Sequence, residues 1–197
     1  MNATTDKALR RIICFVALAN FTYFFVEFAV ALRVGSVSLF ADSIDFLEDA
    51  SINFLILLAL GWSLKARARV GMILAGFLML PGLATLWMAW QKFASLVPPE
   101  PIMLSLTGAG ALVVNMTCAF MLARYRHHSG SLTKAAFLSA RNDVFANIGI
   151  IAAGFLTIAT KSAWPDLIVG LAIAAINVDA AKEVWTADRD EHLKAKS

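Results

Sequence analysis

Asp42-Ser43-Ile44-Asp45-Phe46-Leu47-Glu48-Asp49 places four carboxylates in one short stretch, and the residues on either side of it, out to Val37 and Leu60, are largely apolar. An ionised side chain near the centre of a bilayer costs several kcal/mol even on lenient scales. A chain that gathers several of them at membrane depth needs a cation to accompany them. The stretch therefore reads as part of a membrane-crossing helix in a protein that handles positive ions.

Outward from it the chain has the composition this reading requires. It is 59% hydrophobic, with a mean hydropathy of +0.71, whereas soluble domains average about 45–50% apolar. The excess is gathered into six blocks, roughly Ile12–Leu32, Ser38–Leu60, Val70–Trp90, Ile102–Ala123, Ala135–Thr160 and Ala163–Ala181. Each is near the ~20 residues that span the hydrocarbon layer as a helix. The sixth is the weakest, because Pro165 and Asp166 open it and Asp179 interrupts its end. The first has no small-residue cleavage site, so it is not a signal peptide.

The formal net charge of +3 hides an asymmetry. With the N-terminus placed in the cytoplasm, the basic residues fall mostly on inner segments, among them Lys7, Arg10, Arg11, Arg67, Arg69 and Arg124. Only Arg33, Lys92 and Lys161 fall on outer loops, and Arg141 falls within a span. This is the positive-inside pattern. The basic balance thus reports topology and anionic lipid, and nothing in it resembles a nucleic-acid-binding stripe. The tryptophans agree: Trp62 and Trp185 fall at inner ends, Trp87, Trp90 and Trp164 at outer ends, where an indole satisfies both its apolar body and its N–H. Connections are short, the stiffest being Val97-Pro98-Pro99-Glu100-Pro101. The expected fold is an all-α membrane protein of six transmembrane helices with both termini cytoplasmic. Residues 1–185 form the membrane domain and 186–197 a short charged tail, and a bacterial inner membrane is the expected location.

The second and fifth blocks echo one another. Asp45, Asp49 and Asn53 recur at every fourth residue, as do Ser139, Asp143 and Asn147. Each set lies along one face of its helix. If the two faces meet, Asp45 and Asp49 oppose Ser139 and Asp143 near mid-membrane. Carboxylate oxygens suit divalent cations. Three such groups cannot all stay ionised and bare in a low-dielectric setting, so some hold protons, and an arriving metal expels them. Ion–proton exchange follows if the site opens to each side in turn.

These residues resemble the cation diffusion facilitator family. The resemblance runs through Glu27, Gly35, Ser38, Ala41-Asp42, Asp45 and Asp49, then Ser139-xxx-Asp143 with Asn147-Ile148-Gly149, and Asp166 at the entrance of the sixth helix. It implies export of divalent transition metals in exchange for protons, with Zn²⁺ the foremost cargo and Cd²⁺ a second. It also implies a homodimer, no cofactor, and Asp45, Asp49 and Asp143 as ligands, with Ser139 standing where the family has His or Asp. Serine is a weak ligand, so the fourth position is Ser139, Asn142 or a water. The all-oxygen set raises Fe²⁺ and Mn²⁺ as alternatives. The family's usual cytoplasmic domain after the sixth helix is missing from this sequence, so dimerisation is expected through the membrane helices.

Other residues carry plainer expectations. Glu48 points about 100° away from Asp49 and reads as a packing or water-facing carboxylate. Asp42 either caps its helix or guides ions outward. Glu27 is buried and neutral, dimer-facing or functional. Arg141 pairs with Asp179 or Glu48. His127 and His128 are solvated loop residues or a weak metal-collecting point. Cys14 and Cys118 are apolar packing residues. A metal-dependent phosphatidyltransferase is also small, six-helical and aspartate-rich, but its motif needs an Asp-Gly, and none occurs in this chain. An accessory subunit with purely structural acids would bind no metal.

Overall fold

The structure is a computed structural model that describes residues 3–58, 83–123 and 131–176. The expectations for Trp62, Trp185, His127, His128, Asp179 and the tail lie outside the described residues. Six helices occur within them: α1 (Ala3–Val34), α2 (Val37–Leu58), α3 (83–95), α4 (Pro101–Ala123), α5 (Ser131–Thr160) and α6 (Trp164–Ile176).

Local chemistry sets the helix ends. Helix α1 stops at Gly35, whose φ of +65° is left-handed and easy for a residue without Cβ. Ser36 N–H then reaches back to Ala31 O at 3.0 Å, the six-to-one bond of a Schellman ending. The same Ser36 starts α2, its Oγ accepting Leu39 N–H at 3.1 Å, as an N-cap serine does. One tight turn therefore reverses the chain between its first two helices. Helix α4 opens with Pro101 behind a capping Glu100, whose carboxylate accepts Ile102 N–H at 3.0 Å and Met103 N–H at 2.6 Å. Proline at the first helical position loses no hydrogen bond. We expect Glu100→Ala to cost about 1 kcal/mol, as other cap deletions do. In detergent this lowers the melting temperature by roughly 3 °C for a chain of this size; an unchanged melting curve would show that the cap is idle.

Helices α1, α4 and the Ser139–Thr160 part of α5 are long and apolar enough to cross a membrane. Helix α2 has the length, at 22 residues, but carries the four acids. The surface is apolar where a soluble protein's is polar: Phe120 is 74% exposed, Phe145 66% and Phe155 63%. Trp87, Trp90 and Trp164 are exposed as well. Such a surface suits lipid, not water.

Helix α1 packs most extensively on α2, and α4 on α5, so the bundle is built from two helix pairs. One apolar cluster joins Ala31, Leu39, Ile44, Leu104, Ile150 and Ile173 near the α1–α2 turn. A second joins Val16, Cys118, Leu122, Ala136 and Ala140 further from it. Asn20 and Glu27 of α1, Asn115 of α4, and Asp143 and Asn147 of α5 fall between those clusters in sequence, so a polar layer lies between two apolar ones.

Beyond the turn, two side chains fasten neighbouring helices to it. Lys92 of α3 donates to Gly35 O at 2.6 Å. Asp166 of α6, wholly buried, accepts from Ser36 Oγ and Ser38 Oγ at 2.6 Å each, from Val37 N–H at 2.9 Å and from Ser38 N–H at 3.2 Å. A carboxylate at the start of a helix also faces the positive end of the helix dipole. Gly170 allows the close approach, since a Cβ there would stand 2.7 Å from Ser38 N.

Candidate metal-binding site

Asp49 is the centre of the polar layer. Its side chain is 4% exposed. Ser139 Oγ of α5 donates to its Oδ1 at 2.8 Å, and Asn20 Nδ2 of α1 donates to its Oδ2 at 3.4 Å. The carboxyl group of Asp143 approaches it within hydrogen-bonding distance, a contact that needs one proton between the two acids. Asp45, partly exposed, lies in the electrostatic field of Asp143, Asp42, Glu48 and Asp49. Ser139 and Asp143 are also partly exposed.

Of the four residues singled out from sequence, Asp49 is hydrogen-bonded to Ser139 and meets Asp143, and Asp45 lies in the field of Asp143 first and of Asp49 as well. Among the described residues no three carboxylate, imidazole or thiol groups converge tightly enough to ligate one ion as they stand. The arrangement is one of hydrogen-bonded acids on two facing helix pairs.

A second polar chain runs alongside, nearer the turn. Asp42 is wholly buried. It accepts from Asn147 Nδ2, and Asn147 Oδ1 accepts from Asn115 Nδ2 at 3.0 Å. Glu27 of α1, also wholly buried, meets Asp42 within hydrogen-bonding distance. Access to the layer is uneven: every residue from Ser36 to Ile44 is buried, whereas Asp45, Glu48, Ser139 and Asp143 are partly exposed. The layer is sealed on the side of the α1–α2 turn.

Several expectations need correction. Asn142 is exposed and engaged with Arg141, whose Nη2 donates to its Oδ1 at 3.3 Å. It sits about 100° around the helix from Asp143 and is turned away from the site. Arg141 is itself exposed and makes no ion pair with Glu48. Asp42 caps nothing; the start of α2 is held by Ser36 and Asp166. Glu27 faces the interior of its own chain. Cys118 packs in the second apolar cluster as expected, and its Sγ also lies 3.8 Å from Asn20 Oδ1 at the edge of the polar layer.

Sequence reasoning missed Asn20 and Asn115. A signal was present for the first: Asn20, Tyr23 and Glu27 recur at i, i+3 and i+7, one face of a helix. Tyr23 Oη donates to Thr107 O at 2.7 Å, which fixes that face against α4. Asn115 had no such companion.

Buried acids gathered from α1, α2 and α5 inside a lipid-facing bundle are the equipment of a cation carrier. The profile of the cation efflux transmembrane domain family matches residues 13–185. The chain belongs to that family. It is therefore an integral membrane protein that transports metal cations; the metal is its substrate, and the enzyme alternative falls away. A search of curated proteins returned no match.

Proposed function

We propose that the chain exports divalent transition-metal ions in exchange for protons. Zn²⁺ is the main cargo, and Cd²⁺ is carried as well. Asp45, Asp49 and Asp143 are the ligands, and Ser139 completes the shell either directly or through a water. The observation that carries this reading is the meeting of Asp49 and Asp143 across α2 and α5, with Ser139 on the same carboxylate.

The chemistry follows from that contact. Two acids that touch share a proton. A divalent cation arriving between them replaces it, because carboxylate ligands bind metals in their ionised form. Return of the proton on the far side weakens the metal's hold and releases it. Metal and proton then compete for the same oxygens, and exchange needs no further machinery beyond alternating access. The partial exposure of Asp45, Ser139 and Asp143, against the sealed turn side, fits a state open toward the end of the bundle away from the turn. With the termini cytoplasmic, that is the loading side. The protomers pair through their membrane helices, with residues 1–185 forming the carrier domain and 186–197 a tail.

A second reading has one observation in its favour. The donors around Asp49 are oxygens and amides, a hard set that suits Fe²⁺ and Mn²⁺. One assay separates the two. The protein is reconstituted in vesicles, a pH gradient is imposed, and uptake of Zn²⁺, Cd²⁺, Fe²⁺ and Mn²⁺ is compared before and after a protonophore collapses the gradient. We expect gradient-dependent uptake that is fastest for Zn²⁺. Faster uptake of Fe²⁺ or Mn²⁺ selects the second reading, and uptake indifferent to the gradient refutes proton exchange.

A further inference from the structure

The pair Glu27–Asp42 is not used by the reading above, and it is the most anomalous feature of the interior. Both residues are wholly buried. Apart from each other, neither oxygen of Glu27 nor Oδ1 of Asp42 has a hydrogen-bond partner. Buried polar atoms without partners are uncommon, and each costs about 1–3 kcal/mol, more when charged. The carboxyl groups of Asp42, Asp45 and Asp143 act on Glu27, and the Tyr23 hydroxyl lies in its field as well. Lys92 of α3 is committed to the turn, at Gly35 O.

We propose that Glu27 and Asp42 form a second divalent-cation station, distinct from the Asp45–Asp49–Asp143 cluster and displaced from it toward the α1–α2 turn. Three open oxygens from two facing carboxyl groups offer a hard donor set. Asp42 is held in place by the amide of Asn147, which is held in turn by Asn115. That relay occupies only Oδ2 and leaves Oδ1 free to face Glu27. The carbonyl oxygen of Asn115 also has no donor, so the chain of amides ends in an open acceptor.

The spacing makes the station separate. Asp42 precedes Asp45 by three residues and Asn147 follows Asp143 by four, so each helix carries its outer group about 4.5–6 Å further toward the turn. Two doubly charged ions at that separation repel strongly in low dielectric. An ion entering the Asp49 cluster then drives one already at Glu27 onward, the knock-on arrangement by which multi-site pores release tightly bound ions. The station lies beneath the sealed residues Ser36–Ile44, where an ion would wait for that end to open. The inference rests on the reading of the chain as a carrier of divalent cations.

Calorimetric titration with Zn²⁺ of the full chain in detergent tests it, using wild type, Glu27→Gln, Asp42→Asn, Asp49→Ala and the double variant Glu27→Gln/Asp49→Ala. Elution volume and melting temperature establish that each is folded. Both amide replacements are isosteric, and Asp42→Asn keeps an acceptor for Asn147, so one stands in if the other misfolds. We expect two equivalents of Zn²⁺ per wild-type chain, one in each single variant and none in the double variant. A wild-type stoichiometry of one, or two equivalents retained in both amide variants, overturns the station; the second result would mean that the pair holds a proton only. Two equivalents retained in Asp49→Ala would instead overturn the assignment of the Asp49 cluster. The two failures are therefore distinguishable.

Discussion

Replacing Asp49 by Ala abolishes metal transport while leaving a folded protein, with an expected loss of at least roughly 100-fold in the initial rate. The size follows from position. Groups that only hold a metal's ligands in place already cost about 10–100-fold when removed, and Asp49 is proposed as a ligand that also organises its neighbours. Ser139, Asn20 and Asp143 all converge on its carboxylate. Removing it leaves the Ser139 hydroxyl and the Asn20 amide without their acceptor and releases Asp143 from its partner. Ser139→Ala removes one donor only, and its loss should be nearer tenfold. The check is vesicle uptake under an imposed pH gradient for both variants at matched protein. Similar rates for Asp49→Ala and Ser139→Ala would contradict the central place given to Asp49; wild-type uptake by Asp49→Ala would remove it from the pathway.

Asp166→Ala is expected to be the most damaging change to stability. Its carboxylate serves four donors from the first residues of α2. The two hydroxyls can turn to other acceptors. The Val37 and Ser38 amides cannot, and each unmet buried amide costs about 1–3 kcal/mol. With the lost dipole interaction, a total near 4 kcal/mol is a large share of a typical folding free energy of about 5–15 kcal/mol. The melting temperature should fall by on the order of 10 °C. Asp166→Asn keeps one strong acceptor and should lose about half as much. Equal melting temperatures for wild type and Asp166→Ala would show that water or a neighbour replaces the carboxylate.

The acids of α2 were legible because charge inside an apolar run has few innocent explanations, and because Asp45, Asp49 and Asn53 share a period with the helix. The same logic found Asp143. What the sequence could not supply was the rotation and partner of each helix. Asp42 reads as a cap if only its nearness to the helix end is weighed. It lies in the interior because 42, 45, 49 and 53 form one stripe, which puts it on the face that meets Glu27 and Asn147. Neutral amides were the hardest to see. Asn20 and Asn115 cost far less in an apolar helix than a charge does, so their presence there demands no explanation until a carboxylate is found against them. Asp166 was noticed as an acid at a helix entrance, but its clients are more than a hundred residues away in the chain, and only the tertiary fold brings them together.

The two helix pairs, α1 with α2 and α4 with α5, meet along a seam whose polar crossings include Asp49 with Ser139 and Asp143, Asp42 with Asn147, Tyr23 with Thr107 and Asn20 with Cys118. Lys92 and Asp166 meanwhile strap α3 and α6 to the α1–α2 turn. A doubly charged ion lodged between the two pairs would act as a rivet, drawing them together, and its replacement by protons would let them rock apart. Loading and motion would then be a single mechanical event, with the cargo itself as the pivot.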